Sequence, residues 1–249
     1  MSGEDLPRTR LVAISFLGLM MTAVSATLMG PAFPFIREEF RIPLGVLGFL
    51  ASAWNMGYLL TILAGILSDR YGEPVILSIG LLIGGAAAGL AAIAPNYQLL
   101  AAFFLLAGIG AAFGEASMNP LISRLYPERS GFALNILHIF WSVGAFIGPT
   151  LAGVLIIKYG EWRLPYQVTS IAFIPLIFAS LLSAHRIRMI RRRKVNLEED
   201  GKDEIRGGDL KTLGALILAG FFYLSAELGV NAWLPSFLIL ERRLSLIHI

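Results

Sequence analysis

Two carboxyl groups stand far inside long apolar stretches of this chain, Glu115 and Glu227. A charge in hydrocarbon is costly, so an acid in such a place is a functional candidate by default. Desolvation disfavours the charged form, so a carboxyl there can take up a proton facing one side and release it facing the other. Both have polar company at helical spacing. Asn119 follows Glu115 by one helical turn, on the same face. Asn135, His138 and Ser142 share a face in the next stretch, and Tyr223, Glu227 and Asn231 share one later, with Trp233 close by. Trp54, Asn55 and Tyr58 add an indole, an amide and a phenol. Amides and carboxyls exchange hydrogen bonds with hydroxyl-rich molecules, and aromatic rings cover the CH faces of sugars. The chemistry on offer is recognition of a sugar or similar small polar solute, with proton exchange at Glu115. Rival roles are an interhelical hydrogen bond for Glu115 and Glu227, a helix-to-helix donor for His138, and packing for Trp54 and Tyr58.

Other chemistries are poorly supplied. Cysteine is absent and there are only 3 His, so no thiolate nucleophile and no metal triad is expected. A clustered nucleophile–base set is not visible, which argues against an enzyme. The Gly-x-x-x-x-Gly-Lys-Ser/Thr loop of an ATP-driven pump is missing as well. No cofactor is implied; a proton gradient is the expected energy source.

The elements that must position these residues follow from composition. Of 249 residues, 56% are apolar and 15% charged, against about 45–50% and about 25% in an average soluble domain. Mean hydropathy is +0.72. No single water-soluble core hides that surface, and disorder is excluded by the same figures. Seven stretches are long and apolar enough to cross a bilayer: 11–36, 44–68, 74–94, 98–123, 131–157, 164–184 and 211–240. Short connections join them, Arg37 to Pro43, Asp69 to Glu73, Pro95 to Tyr97, Arg124 to Ser130 and Lys158 to Arg163. The alternating 10-residue segments of a transmembrane barrel do not occur. The first stretch is too long for a signal peptide and runs on into another span.

Orientation follows from the basic residues. With a cytoplasmic N-terminus, fourteen of the 20 Lys and Arg lie inside, nine of them between Arg186 and Lys211. That long hydrophilic stretch, HRIRMIRRRK running into NLEEDGKDE, reads as a cytoplasmic loop touching anionic lipid rather than as a nucleic-acid patch. The expected location is the plasma membrane, bacterial inner membrane by type.

Six spans, a charged loop and one further span form the opening of a carrier built from two six-span halves with nested three-plus-three repeats. Met29-Gly30-Pro31 and Met118-Asn119-Pro120, 89 residues apart, are a trace of that repeat. The junction GILSDRYGEP resembles the signature loop of the major facilitator superfamily, with Gly65, Asp69, Arg70 and Gly72 matching. Gly65 would allow close helix approach, Asp69 would cap or pair, and Gly72 would permit a tight turn. Glu73-Pro74 departs from the further basic residues usual there. GAFIGPTLAG resembles the fifth-span element of the same superfamily: Gly144 and Gly148 let two helices approach, and Pro149 bends one.

Glu115 in GEASMNP, followed by LNILHIFWSVGAF, is similar to the fucose–proton symporter group of sugar transporters. That resemblance implies proton-coupled sugar uptake, with Glu115, Asn119, Asn135, His138 and Glu227 as the main binding residues and Tyr223, Asn231, Trp54, Asn55 and Tyr58 in support. Ala26 to Pro34 lacks the first-span acid of that group. Phe104 stands where many antiporters have an Arg. The expected fold is thus all-α and integral to the membrane. It divides into a six-span N-terminal bundle at 1–184, a central loop at 185–210 and the first span of a second bundle at 211–243. Residues 244–249, LSLIHI, read as a sequencing-adapter artefact, so the chain is expected to stop partway. A facilitator or efflux carrier for another organic solute is the alternative. Expected partners are the solute, the proton and the lipid bilayer, without nucleic acid and without oligomerisation.

Overall fold

Backbone amides in hydrocarbon must bond within the chain, and this chain meets that demand with helices. A computed structural model describes residues 5–194 and 207–240. The hexapeptide 244–249 and the side chains of Glu227 and Asn231 lie outside the described part. The helices are α1 (Asp5–Thr27), α2 (Met29–Phe40), α3 (Leu44–Gly57), α4 (Thr61–Tyr71), α5 (Glu73–Ala92), α6 (Tyr97–Leu125), α7 (Ser130–Tyr159), α8 (Arg163–Lys194) and α9 (Gly207–Leu240). Among the described residues there is no strand. Among the described residues, six helical stretches are long and apolar enough to span a membrane: Arg8–Phe40, Leu44–Tyr71, Glu73–Ala92, Tyr97–Leu125, Pro127–Tyr159 and Arg163–Ala184. They are called spans 1 to 6 here, and α9 follows as span 7.

Two of the spans are interrupted. Span 1 breaks at Leu28, between α1 and α2. Pro31 has no N–H to offer the Thr27 carbonyl, so the helical ladder loses a rung there. Span 2 breaks at a 3-10 turn, Tyr58–Leu60, between α3 and α4. No proline explains that one. Instead Gly57 lies against the backbone of α6, and the Thr61 hydroxyl donates to the Tyr58 carbonyl at 2.6 Å.

Several boundaries differ from the expected ones. The Asp69–Glu73 connection shrinks to one residue: Asp69, Arg70 and Tyr71 close α4, Glu73 opens α5, and only Gly72 turns. Its φ of 95° suits glycine alone. Helix α2 runs on past residue 36 to Phe40 and ends on Arg41 in the left-handed region. Helix also extends into the segment 185–210 from both sides. Helix α8 continues through the basic run to Lys194 and α9 begins at Gly207, since no glycine or proline interrupts the Arg-rich stretch.

Packing follows glycine. Spans 3 and 4 meet through Gly80, Gly84, Gly110 and Gly114: a Cβ on Gly80 would lie 2.5 Å from the Gly114 nitrogen, and one on Gly110 2.6 Å from the Gly84 nitrogen. Spans 2 and 4 meet where Gly108 lies on the Trp54 carbonyl, and spans 5 and 1 where Gly144 lies on the Met20 carbonyl. Trp54 and Gly144 are 90 positions apart and Met20 and Gly108 are 88, bracketing the offset of the Met-x-Pro pair. The same backbone joint is therefore built twice, as a three-plus-three repeat requires. Spans 3 and 6 face each other through serines: Ser78 and Ser180 share a hydrogen bond of 2.7 Å, and Ser170 donates to the Gly85 carbonyl at 2.9 Å. One apolar core holds Phe33, Leu47, Leu50, Leu100 and Phe104; another holds Leu19, Leu77, Leu81, Ile122 and Phe173.

Candidate functional site

Glu115 sits in α6, one residue beyond the Gly114 that lies against span 3. Its carboxyl points toward span 2, where the Tyr58 hydroxyl donates to Oε1 at 2.9 Å. Tyr58 is the first residue of the 3-10 turn, so the interruption of span 2 is what presents the phenol. The preceding residue, Gly57, fixes the depth of approach: a Cβ there would meet Gly108 C and Ile109 N at 2.5 Å. Trp54, one turn earlier, is buried in the core between these helices, and its side chain also faces the Tyr58 hydroxyl. Further along α6, Ser117 donates back to the Phe113 and Gly114 carbonyls, each at 2.8 Å. Asn119, one turn beyond Glu115, holds a buried Oδ1 with no hydrogen-bond partner. The structure thus brings Glu115, Tyr58 and Trp54 into one region between spans 2 and 4, with Asn119 one helical turn further along α6.

The remaining candidates are elsewhere. Asn55 is exposed and donates to the Ala51 carbonyl at 3.3 Å. Asn135 and His138 are exposed on α7, where Ser142 donates to the His138 carbonyl at 3.2 Å. Tyr223 is exposed on α9. Trp233 packs on the Phe33 ring, centroids 6.1 Å apart, and lies over Gly48, whose Cβ would meet it at 3.2 Å. It wedges between spans 1 and 2 rather than standing beside Glu115. Glu227 and Asn231 cannot be placed relative to either group, because their side chains are outside the described part.

The motif residues divide in the same way. Gly144 and Gly148 make the expected close approach, to Met20 and Ala23 and to Val24 and Thr27 respectively. Pro149 lies inside an unbroken α7. Gly65 does not make one: a Cβ there would meet nothing within 4 Å. Arg70 lies over the Tyr71 ring at 5.5 Å. Asp69 pairs weakly with Arg124, at 3.9 Å. The departure from the motif, Glu73, is the better partner: it is buried at the start of α5 and accepts a hydrogen bond from Arg124. The sequence marked Glu73 only as a departure from the basic residues usual there, and the fold makes it the tie between the span 2–3 turn and the end of span 4.

Two clusters had no sequence signal. At the end of span 1, Glu39 accepts from the Trp162 indole at 2.6 Å and pairs with Arg163, whose Nη2 also donates to the Ala94 carbonyl at 2.8 Å. That ties spans 1, 3 and 6 together at one rim. At the opposite rim Arg8 donates to the Leu125 carbonyl and lies 4.5 Å from the Tyr126 ring centroid. Phe104, where an antiporter-type Arg was absent, is buried and stacks on Tyr166, centroids 5.9 Å apart. Among the described residues no group of three His, Asp or Glu could hold a metal ion.

A bundle of glycine-jointed helices built as a three-plus-three repeat around a polar pair is the architecture of a membrane transporter, and the fold is not that of a catalytic enzyme. The sequence profile of the Major Facilitator Superfamily matches residues 15–249, and the chain belongs to that family. It is 24% identical to the uncharacterised MFS-type transporter YcnB of Bacillus subtilis over 94% of this chain and 48% of that protein. It is 22% identical to the hexuronate transporter of the same organism, over 98% of this chain and 59% of that one. The multidrug resistance protein Stp of Mycobacterium tuberculosis is 30% identical over 65% of this chain and 31% of its own length. The crystal structure of a bacterial homologue of the human lysosomal transporter Spinster, inward-facing and unoccupied, superposes with a TM-score of 0.66 at 17% identity. That match covers 99% of this chain and 58% of the other. The chain thus spans about half the length of the curated relatives it matches.

Proposed function

We propose that this chain is the N-terminal bundle and first following span of a secondary transporter that moves a sugar or similar small polar solute across the cell membrane by alternating access, in symport with protons. The observation that carries the reading is the Tyr58–Glu115 pair, an acid held between two helices in the interior of the bundle. Glu115 exchanges the proton; Asn119 and Tyr58 offer hydrogen bonds to a hydroxylated solute, and Trp54 an aromatic face. Asn135 and His138 extend the lining on α7, and Tyr223, Glu227 and Asn231 contribute from span 7. The bundle occupies 1–184, with the loop to 210 on the cytoplasmic side and the N-terminus inside by the basic-residue bias. The relative named as a hexuronate transporter supports a sugar-like cargo.

The test is uptake of radiolabelled hexoses and of D-glucuronate into vesicles containing the carrier, with and without an imposed pH gradient. Glu115→Gln should reduce gradient-driven uptake while solute exchange persists. Unchanged accumulation would remove Glu115 from the coupling role. A second reading, efflux of another organic solute, is favoured by relatives named as the multidrug resistance protein Stp and, at 28% identity, the methylenomycin A resistance protein of Bacillus subtilis. It predicts no gradient-driven uptake, and instead lower accumulation of such compounds in cells expressing the carrier.

A further inference from the structure

Span 2 is interrupted within the membrane where it meets the acid. A 3-10 stretch inside a helix marks a hinge or a sequence under strain, and it closes fewer good hydrogen bonds than an α-helical turn. Here the interruption has no proline to enforce it, and α3 and α4 are otherwise regular. Three contacts hold it. Gly57 is seated on the α6 backbone, the Thr61 hydroxyl caps the Tyr58 carbonyl, and the Tyr58 phenol reaches across to Glu115. The first two are internal to the packing. The third ends on a group whose state changes during transport.

The geometry points to Tyr58 as a latch: its bond to Glu115 holds span 2 bent at 58–60, and loss of that bond lets α4 swing about the turn. This rests on the reading of Glu115 as the proton and solute site. When the carboxyl turns to a solute the phenol loses its acceptor, and when it is protonated the acceptor weakens from a carboxylate to a carbonyl oxygen; the 3-10 turn is then held by the Gly57 seat and the Thr61 cap. The outer arm, α3, stays fixed because Gly57 and Trp54 lie on Gly108. The moving arm is α4, whose side chains Ile62, Leu63 and Ile66 are exposed. From Tyr58 to Ile66 is about 12 Å of helix, so a swing of about 20° displaces Ile66 by about 4 Å.

Other acidic and basic groups on α6 and on the elements packed against it include Asp69 and Arg70 on α4, Glu73 on α5, Arg8 and Arg10 on α1, Glu128 and Arg129 on the 127–129 turn, His138 and Lys158 on α7, and Arg124 on α6 itself. None of them bonds to Glu115 among the described residues; Tyr58 does.

The chain has no cysteine, so site-directed spin labels can be placed without background. Labels at I66C on α4 and F132C on α7, both exposed positions, report the swing in the carrier reconstituted into lipid nanodiscs. Between pH 5 and pH 8 the distance distribution should exchange between two populations about 4 Å apart. Tyr58→Phe keeps the ring and removes the donor, so it should show one population at all pH values. Glu115→Gln should also lose the pH response. A Tyr58→Phe carrier that keeps the exchange of the parent overturns the latch and leaves the Glu115 reading intact. Persistence of the exchange in Glu115→Gln overturns the Glu115 reading itself. A parent protein with a single pH-independent distance overturns the latch as well.

Discussion

Replacing Gly57 with alanine is the sharpest test of how the site is built. An ideal Cβ at Gly57 would lie 2.5 Å from Gly108 C and Ile109 N and 2.7 Å from the Leu105 carbonyl oxygen. Comfortable contact begins about 0.9 Å further out. All three obstructing atoms are backbone, so no side chain can rotate away, and span 2 must withdraw from span 4. Tyr58 is the next residue. A withdrawal of about 0.7 Å stretches its 2.9 Å bond to Glu115 to about 3.6 Å, beyond a hydrogen bond. Overpacking of this kind costs about 1–3 kcal/mol and the lost bond about 1 kcal/mol, set against a gain of about 0.5–1 kcal/mol from leaving glycine in a helix. The net loss is about 2 kcal/mol, which for a chain of this size lowers the melting temperature by about 4–8 °C. The matched control is Gly65→Ala in the same span, where the added methyl meets nothing within 4 Å. It should be neutral or gain up to about 1 kcal/mol. Thermal unfolding of the detergent-solubilised protein, followed by tryptophan fluorescence, reads both. If Gly57→Ala melts within about 1 °C of Gly65→Ala, the backbone joint does not set the position of Tyr58 and the account of the site fails.

Gly72→Ala should cost about 1–3 kcal/mol, because its φ of 95° is closed to residues with a Cβ; a melting temperature equal to the parent's would contradict that backbone. A double-mutant cycle on Glu73→Gln and Arg124→Gln should give a coupling near 1 kcal/mol at most, since the Arg124 side chain is 63% exposed and solvent screens it. Ser78→Ala with Ser180→Ala, read in the same way, should show a coupling of about 0.6 kcal/mol, the usual size for a hydrogen bond between membrane helices; about 3 kcal/mol would be inconsistent with a single such bond. Arg163→Lys should fail to restore what Arg163→Ala loses, because one ammonium cannot reproduce the fork that holds both Glu39 and the Ala94 carbonyl.

The spans were legible because hydrocarbon demands about 20 apolar residues per crossing, and that demand is written in composition. Gly72 was legible as a turn for a similarly local reason. The two helix interruptions were not equally so. Pro31 carries the first in its missing N–H, whereas the turn at Tyr58 comes from a tertiary contact at Gly57 that no local pattern records. A Cβ at Gly65 has no neighbour within 4 Å among the described residues, and a motif fixes spacing but not which face a neighbour covers. Glu73 was judged a departure because its partner, Arg124, lies 51 residues away. The pairing of Tyr58 with Glu115 was hidden for the same reason: periodicity tells which residues share a face, and only packing tells which faces meet.

The duplicated joints at Trp54–Gly108 and Met20–Gly144 make the two halves of the repeat look equivalent, but the ladders do not respect that symmetry. Both breaks, at Leu28 and at Tyr58–Leu60, fall in the first three spans. The last three run unbroken through Pro120, Pro149 and Pro175. Backbone-to-backbone joints leave no rotamers to absorb displacement, so the two breaks are where the helical ladder itself can give. Spans 4 to 6 act as the frame, and spans 1 and 2 are jointed limbs hung on it. Two copies of one joint pattern thus differ in their backbones, one interrupted twice and the other continuous.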